Sequence, residues 1–486
     1  MKKLTEILRG IDYSGVDPGN DITVANICFD SRKTSKNDLF IAVRGTITDG
    51  HNYINEAIRL GAIAVLCEKV PDDANSDICW IKVKNSGYAL AICASNYYNN
   101  PSKEIKLVGV TGTNGKTTTA TLLYRLFTSL GNRAGLLSTV ANYIAGEEQD
   151  ATLTTPDPVR INKLLREMID AGCEYAFMEV SSHAIVQNRT AGLYFLLGIF
   201  TNITHDHLDY HGNFDNYLKA KKEFFDSLPA ESIALVNADD RNGSLMIQNC
   251  RADRYEYSLK TVADYTCRIV EHRIDGMSLR FGSQEVWTCF IGEFNAYNLL
   301  AVVSAAELLG QDRLHVLTHI STLKPVPGRF EVIRSGMGIT AIVDYAHTPD
   351  ALDNVLEAIN KIRLRGNRLI TVVGAGGDRD RSKRPIMARI SAEKSDRVIL
   401  TSDNPRTEDP EKIIDDMIEG VPAKMQAKVL RIPDRREAIR TASMIAGEND
   451  IILVAGKGHE TYQEIKGHRY HFDDREELRI VLMSAN

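Results

Sequence analysis

GVTGTNGKTTT, at residues 109–119, follows a short β-rich run, IKLVGVT (105–111), and opens a helical pattern, TTTATLLYRLFTSLG (117–131), that stops at a glycine. A glycine-rich turn between a strand and a helix, ending in Lys-Thr, is the context in which a phosphate-binding loop is credible. Gly112 and Gly115 let the backbone bend, so that N–H groups of Thr113, Asn114 and their neighbours face phosphate oxygens. The helix that begins here adds partial positive charge. Lys116 can reach the β- and γ-phosphates, Thr117 can place a hydroxyl on Mg²⁺, and Thr118 follows in the first turn. One position departs from the general phosphate loop: Val110 stands five residues before Gly115, where that loop has its first glycine.

Outward from this loop, short strand candidates alternate with helical patterns. YAFMEVS (175–181), GIFTNIT (198–204) and SIALVNAD (232–239) are separated by helices predicted over 158–171 and 214–228. Such alternation predicts a doubly wound, mostly parallel sheet. LKPVPGRFE (323–331) carries two prolines and a glycine and reads as a linker. The alternation restarts behind it with TAIVDYA, RLITVVGAGG, RVILTSDNP and IILVAGKG, which predicts a Rossmann-like unit. Before the loop, LFIAVRG, AIAVLCE and ICWIKV precede a helical stretch that closes at Pro101. The expectation is an α/β protein of three domains: a small α/β domain at 1–102, a central P-loop domain at 103–326 and a Rossmann-like domain at 327–486.

Bulk composition narrows the function classes. The chain has 486 residues, is 43% hydrophobic and 25% charged, and carries a formal net charge of -6. That is an ordinary globular balance, with no overall attraction to nucleic acid or anionic membrane. The eight cysteines, at 28, 67, 79, 93, 173, 250, 267 and 289, include no C-x-x-C pair, which argues against a disulfide framework or a cysteine zinc site. MKKLTEILRG has a basic start but no apolar segment behind it, and no apolar run approaches the ~20 residues of a membrane helix. A cytoplasmic monomer acting on small molecules is the expectation.

Further motifs follow in order: DSRKTSKNDLFIAVRGTITDGHNYI (30–54), TTPDP (154–158), MEVSSHAIVQNR (178–189), NITHDHLDYHG (202–212), GEFNAYN (292–298), PGRFE (327–331), DYAHTPD (344–350), GGDRDRSKRP (376–385), SDNPRTEDP (402–410) and AGKGHETYQ (455–463). Together with TGTNGKTT, this series resembles the Mur ligases, the amide-forming enzymes of peptidoglycan synthesis, and within them the diaminopimelate-adding branch. Folylpolyglutamate synthetases are more distant relatives. The resemblance spans nearly the whole chain and implies an ADP-forming ligase. Such an enzyme uses ATP to phosphorylate a carboxylate, and an amine then attacks the acyl phosphate.

The resemblance also implies roles. Lys116, Glu179, His207 and Lys221 are the expected catalytic set, with Thr117, Glu179, His207 and Lys221, the last carbamylated by CO₂, around Mg²⁺. Glu179 also ends a predicted strand, where ligands collect in open α/β sheets. The histidines at 205, 207 and 211, with Asp206 and Asp209, leave a zinc site as an alternative. Lys219 and Lys222 remain rivals of Lys221, since the three read equally well as a solvated lysine face. Asn295, Asn298, Arg329 and Asp344 resemble the ATP contacts, while Ser31, Thr154, Thr155, Ser181, Gln187 and Arg189 resemble those for UDP-N-acetylmuramoyl-L-alanyl-D-glutamate.

The acceptor amino acid is read from DNPR at 403–406. meso-Diaminopimelate carries a distal carboxylate and ammonium that lysine does not combine. Arg379 and Arg406 suit the carboxylate, Asn404 suits a hydrogen bond and Glu460 suits the ammonium; Asp403, Pro405 and Gly456 complete the set. DNPR is also simply a turn sequence. A lysine-adding ligase and, from another class, a P-loop ATPase switch are the competing readings.

Overall fold

The computed structural model describes the chain apart from residues 16–21, 46–47, 73, 152, 337 and 484–486. Residues 46–47 of the 30–54 motif and the last three residues of the third domain therefore lie outside the described residues. Three sheets organise the rest into three α/β domains.

The central sheet has nine strands, with Lys106–Thr111 in its middle between Tyr175–Glu179 and Leu197–Phe200. Both neighbours run parallel to it, pairing Glu179 with Val110 and Phe200 with Thr111. Three carboxyl ends thus open at one place, beside the phosphate loop. The sheet is buried on both faces. Val108 and Val110 pack into one core with Leu122 and Leu126 of the helix Lys116–Ser129 and with Leu299 of the helix Glu293–Leu308. Leu107 faces the opposite core with Leu164 and Phe224. Alternation along an all-apolar strand is what a doubly wound sheet requires. The antiparallel hairpin Asn142–Ile144/Glu147–Gln149 extends one edge.

A three-stranded antiparallel sheet, Arg268–Arg273, Gly276–Phe281 and Gln284–Thr288, was not expected from sequence. Its first strand, RIVEHR, has no buried residue, so no apolar run marks it.

The main sheet of the first domain has five strands, four of them mutually parallel, and the antiparallel Tyr13–Gly15 at the edge. The main sheet of the third has six strands, in the order Glu331–Arg334, Thr340–Asp344, Ile451–Ala455, Leu369–Val373, Arg397–Leu400, Val429–Arg431. Only its first pair is antiparallel. Asp344 pins the linker to this sheet, accepting from Phe330 N at 2.7 Å and Ala346 N at 2.8 Å.

Two buried arginines brace the third domain. Arg435 forms a two-pronged pair with Asp474 at 2.7 and 2.8 Å, both side chains wholly buried. It also donates to the carbonyls of Ser402 (3.5 Å) and Ala455 (3.0 Å), just before the DNPR and GKGHE loops. Arg384 grips both oxygens of Glu408, at 2.8 and 3.0 Å, and Asp416 at 2.8 Å. Those bonds from Arg384, against the opposing effect of burial, hold the Glu408 carboxyl down at about 2.

Arg435→Leu leaves Asp474 buried without its partner and is expected to cost about 3–5 kcal/mol. Urea unfolding of the full chain measures it, and an unchanged midpoint would contradict the brace. The Glu408 contribution is present above the ordinary carboxyl value of 4.5 and is lost as pH falls toward about 2. The stability gap between the parent and Arg384→Met should therefore narrow across that window.

Candidate active site

The phosphate loop takes the shape its glycines allow. Gly112 has φ +153°, and a Cβ there would lie 1.9 Å from Thr201 Oγ1; at Gly115, φ +88°, it would lie 2.5 Å from Asn298 Oδ1. Asn114 N donates to Asn202 Oδ1 at 2.9 Å, and Thr113 N to the Asn202 carbonyl at 2.8 Å. Asn295 and Asn298, one turn apart on a buried helix face, are joined by a 3.3 Å hydrogen bond.

Two amines meet on this loop. Lys116 Nζ donates to the carbonyls of Gly112 (2.9 Å) and Thr113 (2.8 Å), and Lys221 Nζ donates to Gly112 at 2.7 Å. Burial, with the Lys116 charge beside it, pushes the Lys221 amine well below its ordinary value. Its side chain is 1% exposed, whereas Lys219 is exposed and Lys222 pairs with Asp226 at 2.6 Å. The structure therefore separates the three lysines. The separating signal was in the sequence: Tyr217, Ala220, Lys221, Phe224 and Phe225 form the i, i+3, i+4, i+7, i+8 face of one helix.

Glu179 is 1% exposed. It accepts from Thr117 Oγ1 at 2.8 Å, Thr139 N at 2.7 Å and Thr139 Oγ1 at 3.0 Å, all neutral donors. A buried carboxylate with no cation bonded to it, facing a threonine hydroxyl, fits magnesium, which prefers hard oxygens and completes its shell with water and phosphate. Among the described residues no group of three His, Cys, Asp or Glu side chains could hold a metal ion. Of the histidines of NITHDHLDYHG, His207 and His211 both pack against the His183 ring, at 4.8 and 5.6 Å between centres. His205 meets the Phe214 ring edge-on, His207 Nε2 lies 3.4 Å from Asp206, and His211 Nε2 lies 3.0 Å from Ser182 Oγ. Burial, opposed by Asp206, pushes the His207 imidazole down to about 3.

Thr154, Thr155, Ser181, Gln187 and Arg189 are linked into one network beside Glu179. Thr155 Oγ1 donates to the Glu179 carbonyl at 2.8 Å and accepts from Ser181 N at 3.1 Å; Thr154 Oγ1 lies 3.0 Å from Thr139 Oγ1, which can accept from it while donating to Glu179. Arg189 donates to Thr155 O at 2.7 Å and forks onto Gln187 Oε1 at 3.0 and 2.7 Å. Ser31 stands apart in the first domain, donating to Glu56 at 2.7 Å.

A cleft of about 460 Å³ lies between the second and third domains, and its lining includes Asn114, Gly115, Thr118, Asn295, Asn298 and Asp344. Arg329 reaches across it, donating to Thr117 Oγ1 at 3.1 Å with its guanidinium 4.4 Å from the Tyr345 ring centre. Its Nε is buried without a partner. An arginine with a spare buried donor beside a phosphate loop fits a phosphate oxygen. Asp350 also bridges the domains, accepting from Asn114 at 3.0 Å and Thr204 at 3.2 Å, and Lys383 meets Asp206 at 2.8 Å.

In the third domain, the DNPR turn packs on the GAGG and GKGHE loops. A Cβ on Gly376 would meet Arg406 Nη1 at 3.0 Å and Arg379 Cγ at 3.6 Å, so that glycine lies between the two arginines. A Cβ on Gly456 would meet Asp403 Oδ2 at 2.5 Å, and one on Gly377 the Pro405 carbonyl at 2.0 Å. Arg406 has φ +52° and donates to Gly377 O at 2.7 Å. Asn404 Nδ2 donates to Glu460 Oε2 at 2.8 Å. That same oxygen faces the buried Lys457 at 3.0 Å, a partner for Glu460 that was not expected from sequence. Thr139, Asp350, Lys383 and Lys457 are additions of the structure. Asp350, Lys383 and Lys457 lie inside motifs already singled out; Thr139 lies in none.

Three family models match in order: the Mur ligase family catalytic domain over residues 23–99, the Mur ligase middle domain over 110–306 and the Mur ligase glutamate ligase domain over 328–458. The UDP-N-acetylmuramoyl-L-alanyl-D-glutamate–2,6-diaminopimelate ligase of Parabacteroides distasonis is 53% identical over 99% of both chains. The Bacteroides thetaiotaomicron enzyme of that name is 54% identical over 98% of this chain and 99% of its own. A solved structure of a ligase so named is 34% identical, with TM-score 0.69 over 99% of each chain. The MurF ligase of Thermotoga maritima in complex with ADP, 20% identical with TM-score 0.64 over 95% and 98%, shares the fold. This chain belongs to the Mur ligase family.

Proposed function

We propose that the chain adds meso-2,6-diaminopimelate to UDP-N-acetylmuramoyl-L-alanyl-D-glutamate, in ATP-dependent, ADP-forming synthesis of a peptidoglycan precursor in the cytoplasm. The observation that carries the choice of amino acid is the gathering of Arg406, Arg379, Asn404 and Glu460 around one turn. Whole-length identity to ligases named for that substrate supports it. No helix among the described residues is long and apolar enough to cross a membrane. The domain limits 1–102, 103–326 and 327–486, and action as a monomer, belong to the same proposal.

The terminal carboxylate of the nucleotide-sugar peptide attacks the γ-phosphorus of ATP, and ADP leaves. The amine of diaminopimelate then attacks the acyl carbon, loses a proton and expels phosphate. Such transfer is served mainly by positioning and by charge on the phosphate oxygens. Lys116 and the loop from Gly112 to Thr118 hold the phosphates, and Arg329 closes on them from the third domain. Asn295 and Asn298 take the adenine, and Asp344 the ribose. Thr117, Glu179, His207 and Lys221 would hold magnesium, which when bound supplies positive charge to the phosphate oxygens. The Lys221 amine, pushed toward its neutral form by burial and by the Lys116 charge, would add to CO₂ with loss of a proton, giving a carbamate that suits a cation better than an ammonium does. Ser31, Thr154, Thr155, Ser181, Gln187 and Arg189 bind the nucleotide-sugar peptide.

Incubation with ATP, Mg²⁺, the UDP-muramoyl dipeptide and a panel of amino acids, read by product mass, tests the function. Diaminopimelate should be joined with one ADP per amide; ADP release without an acceptor and an amine would favour the ATPase switch. Arg406→Ala should weaken diaminopimelate use by roughly tenfold to a hundredfold, the worth of a charge-assisted bond, with ATP affinity nearly intact. For the carbamate, ¹³C-bicarbonate should give one labelled carbamate signal in NMR that Lys221→Ala abolishes. A spectrum without it would remove that part of the proposal.

A further inference from the structure

The side chain of Lys457, in the GKGHE loop, is wholly buried. An ammonium is costly to bury unless its donors are met. Here Nζ donates to Glu460 Oε2 at 3.0 Å and Asn404 Oδ1 at 3.1 Å, and lies 5.4 Å from the centre of the Tyr462 ring. Three donors thus have an anion, a carbonyl and an aromatic face.

This arrangement fixes the Asn404 amide. The Lys457 ammonium and the Glu464 backbone N–H, at 2.9 Å, converge on one side-chain atom, and both can only donate. That atom must be oxygen. Nδ2 is then turned to Glu460 Oε2, and its second N–H is left to donate. Asn404 can offer an approaching ligand only a donor, which selects an acceptor such as a carboxylate.

Charge points the same way. Asp403, Glu460 and Glu464 surround the turn that carries Arg406, and Glu464 already lies 3.9 Å from the Arg406 guanidinium. Three carboxylates around one arginine would repel a ligand carboxylate. Lys457 neutralises Glu460 from behind, on the side away from solvent.

We propose that Lys457 is a positioning residue for the distal carboxylate of diaminopimelate: it orients the Asn404 amide as a donor and cancels the Glu460 charge, so that Arg406 can capture the anion. The proposal rests on the placement of the diaminopimelate site above.

Steady-state kinetics of the full chain with ATP, the UDP-muramoyl dipeptide and meso-diaminopimelate test it, on Lys457→Met, Lys457→Gln and Arg406→Ala. Both lysine variants should raise KM for diaminopimelate about tenfold or more. KM for ATP, KM for the nucleotide-sugar peptide and kcat should stay within about threefold, as expected when only ground-state binding is lost. A diaminopimelate KM within about threefold of the parent overturns the proposal, and so does a parallel loss in every parameter, which marks a purely structural lysine. If the methionine variant does not fold, the glutamine variant decides alone, since it keeps a polar group in the buried place but removes the charge that cancels Glu460. Arg406→Ala separates the two levels. An unchanged diaminopimelate KM there removes the site itself; a raised KM there, with both Lys457 variants normal, removes only the role of the lysine.

Discussion

The carbonyl oxygen of Gly112 receives two amines, those of Lys116 and Lys221. Much else follows from that convergence. The carbonyl is available because Gly112 holds φ +153° and packs so close to Thr201 that no side chain fits. The loop is held there because its strand is the middle one of nine, with both neighbours ending level with it. Two like charges in a place of low dielectric repel strongly, so one amine must neutralise or an anion must arrive. In the function proposed above, the triphosphate is the anion that arrives at Lys116, and the Lys221 amine is the one that gives up its proton and takes up CO₂. The site is charged for a reaction partner before the partner comes.

The third domain completes this arrangement from outside. Arg329 arrives from the linker with one N–H still unpaired, and its backbone neighbour Phe330 is held by Asp344. A buried carboxylate on the first parallel strand thereby fixes where the guanidinium stands. Asp350 and Lys383 tie the same domain to the loop through Asn114 and to the His207 segment through Asp206. The second and third domains are thus tied together by polar bridges. Polar bridges of this kind suit a contact that must open to release product.

Legibility in the sequence followed locality. Strand and helix alternation was readable because buried parallel strands such as KLVGVT and YAFME are short apolar runs with helices between them. RIVEHR was not readable as a strand, because none of its residues is buried. The phosphate loop could be read because its chemistry is carried by adjacent residues. Lys221 could have been told from Lys219 and Lys222 by helical period alone. Thr139 could not be found: it bonds Glu179 from forty positions away in sequence, and nothing around it forms a pattern. Asp350, Lys383 and Lys457 sat within visible motifs, but their partners lie on other loops, and only folding brings those together.

In the proposed function, the contrast between the two substrate regions follows from their ligands. Beside Glu179 the network consists of threonine and serine hydroxyls, a glutamine amide and one arginine, groups that meet sugar and peptide atoms without large desolvation cost. Around DNPR the network is ionic, and its charges are matched within the protein before any ligand binds. In the proposed site, a ligand that lacks the distal carboxylate would leave the second N–H of the buried Asn404 without an acceptor and Arg406 with only its contacts to Gly377 and Glu464, and an unpaired buried donor costs about 1–3 kcal/mol. Discrimination between two amino acids that differ in one carboxylate therefore does not need a tighter pocket. It needs donors that cannot turn away, and a buried lysine is one way to keep them from turning.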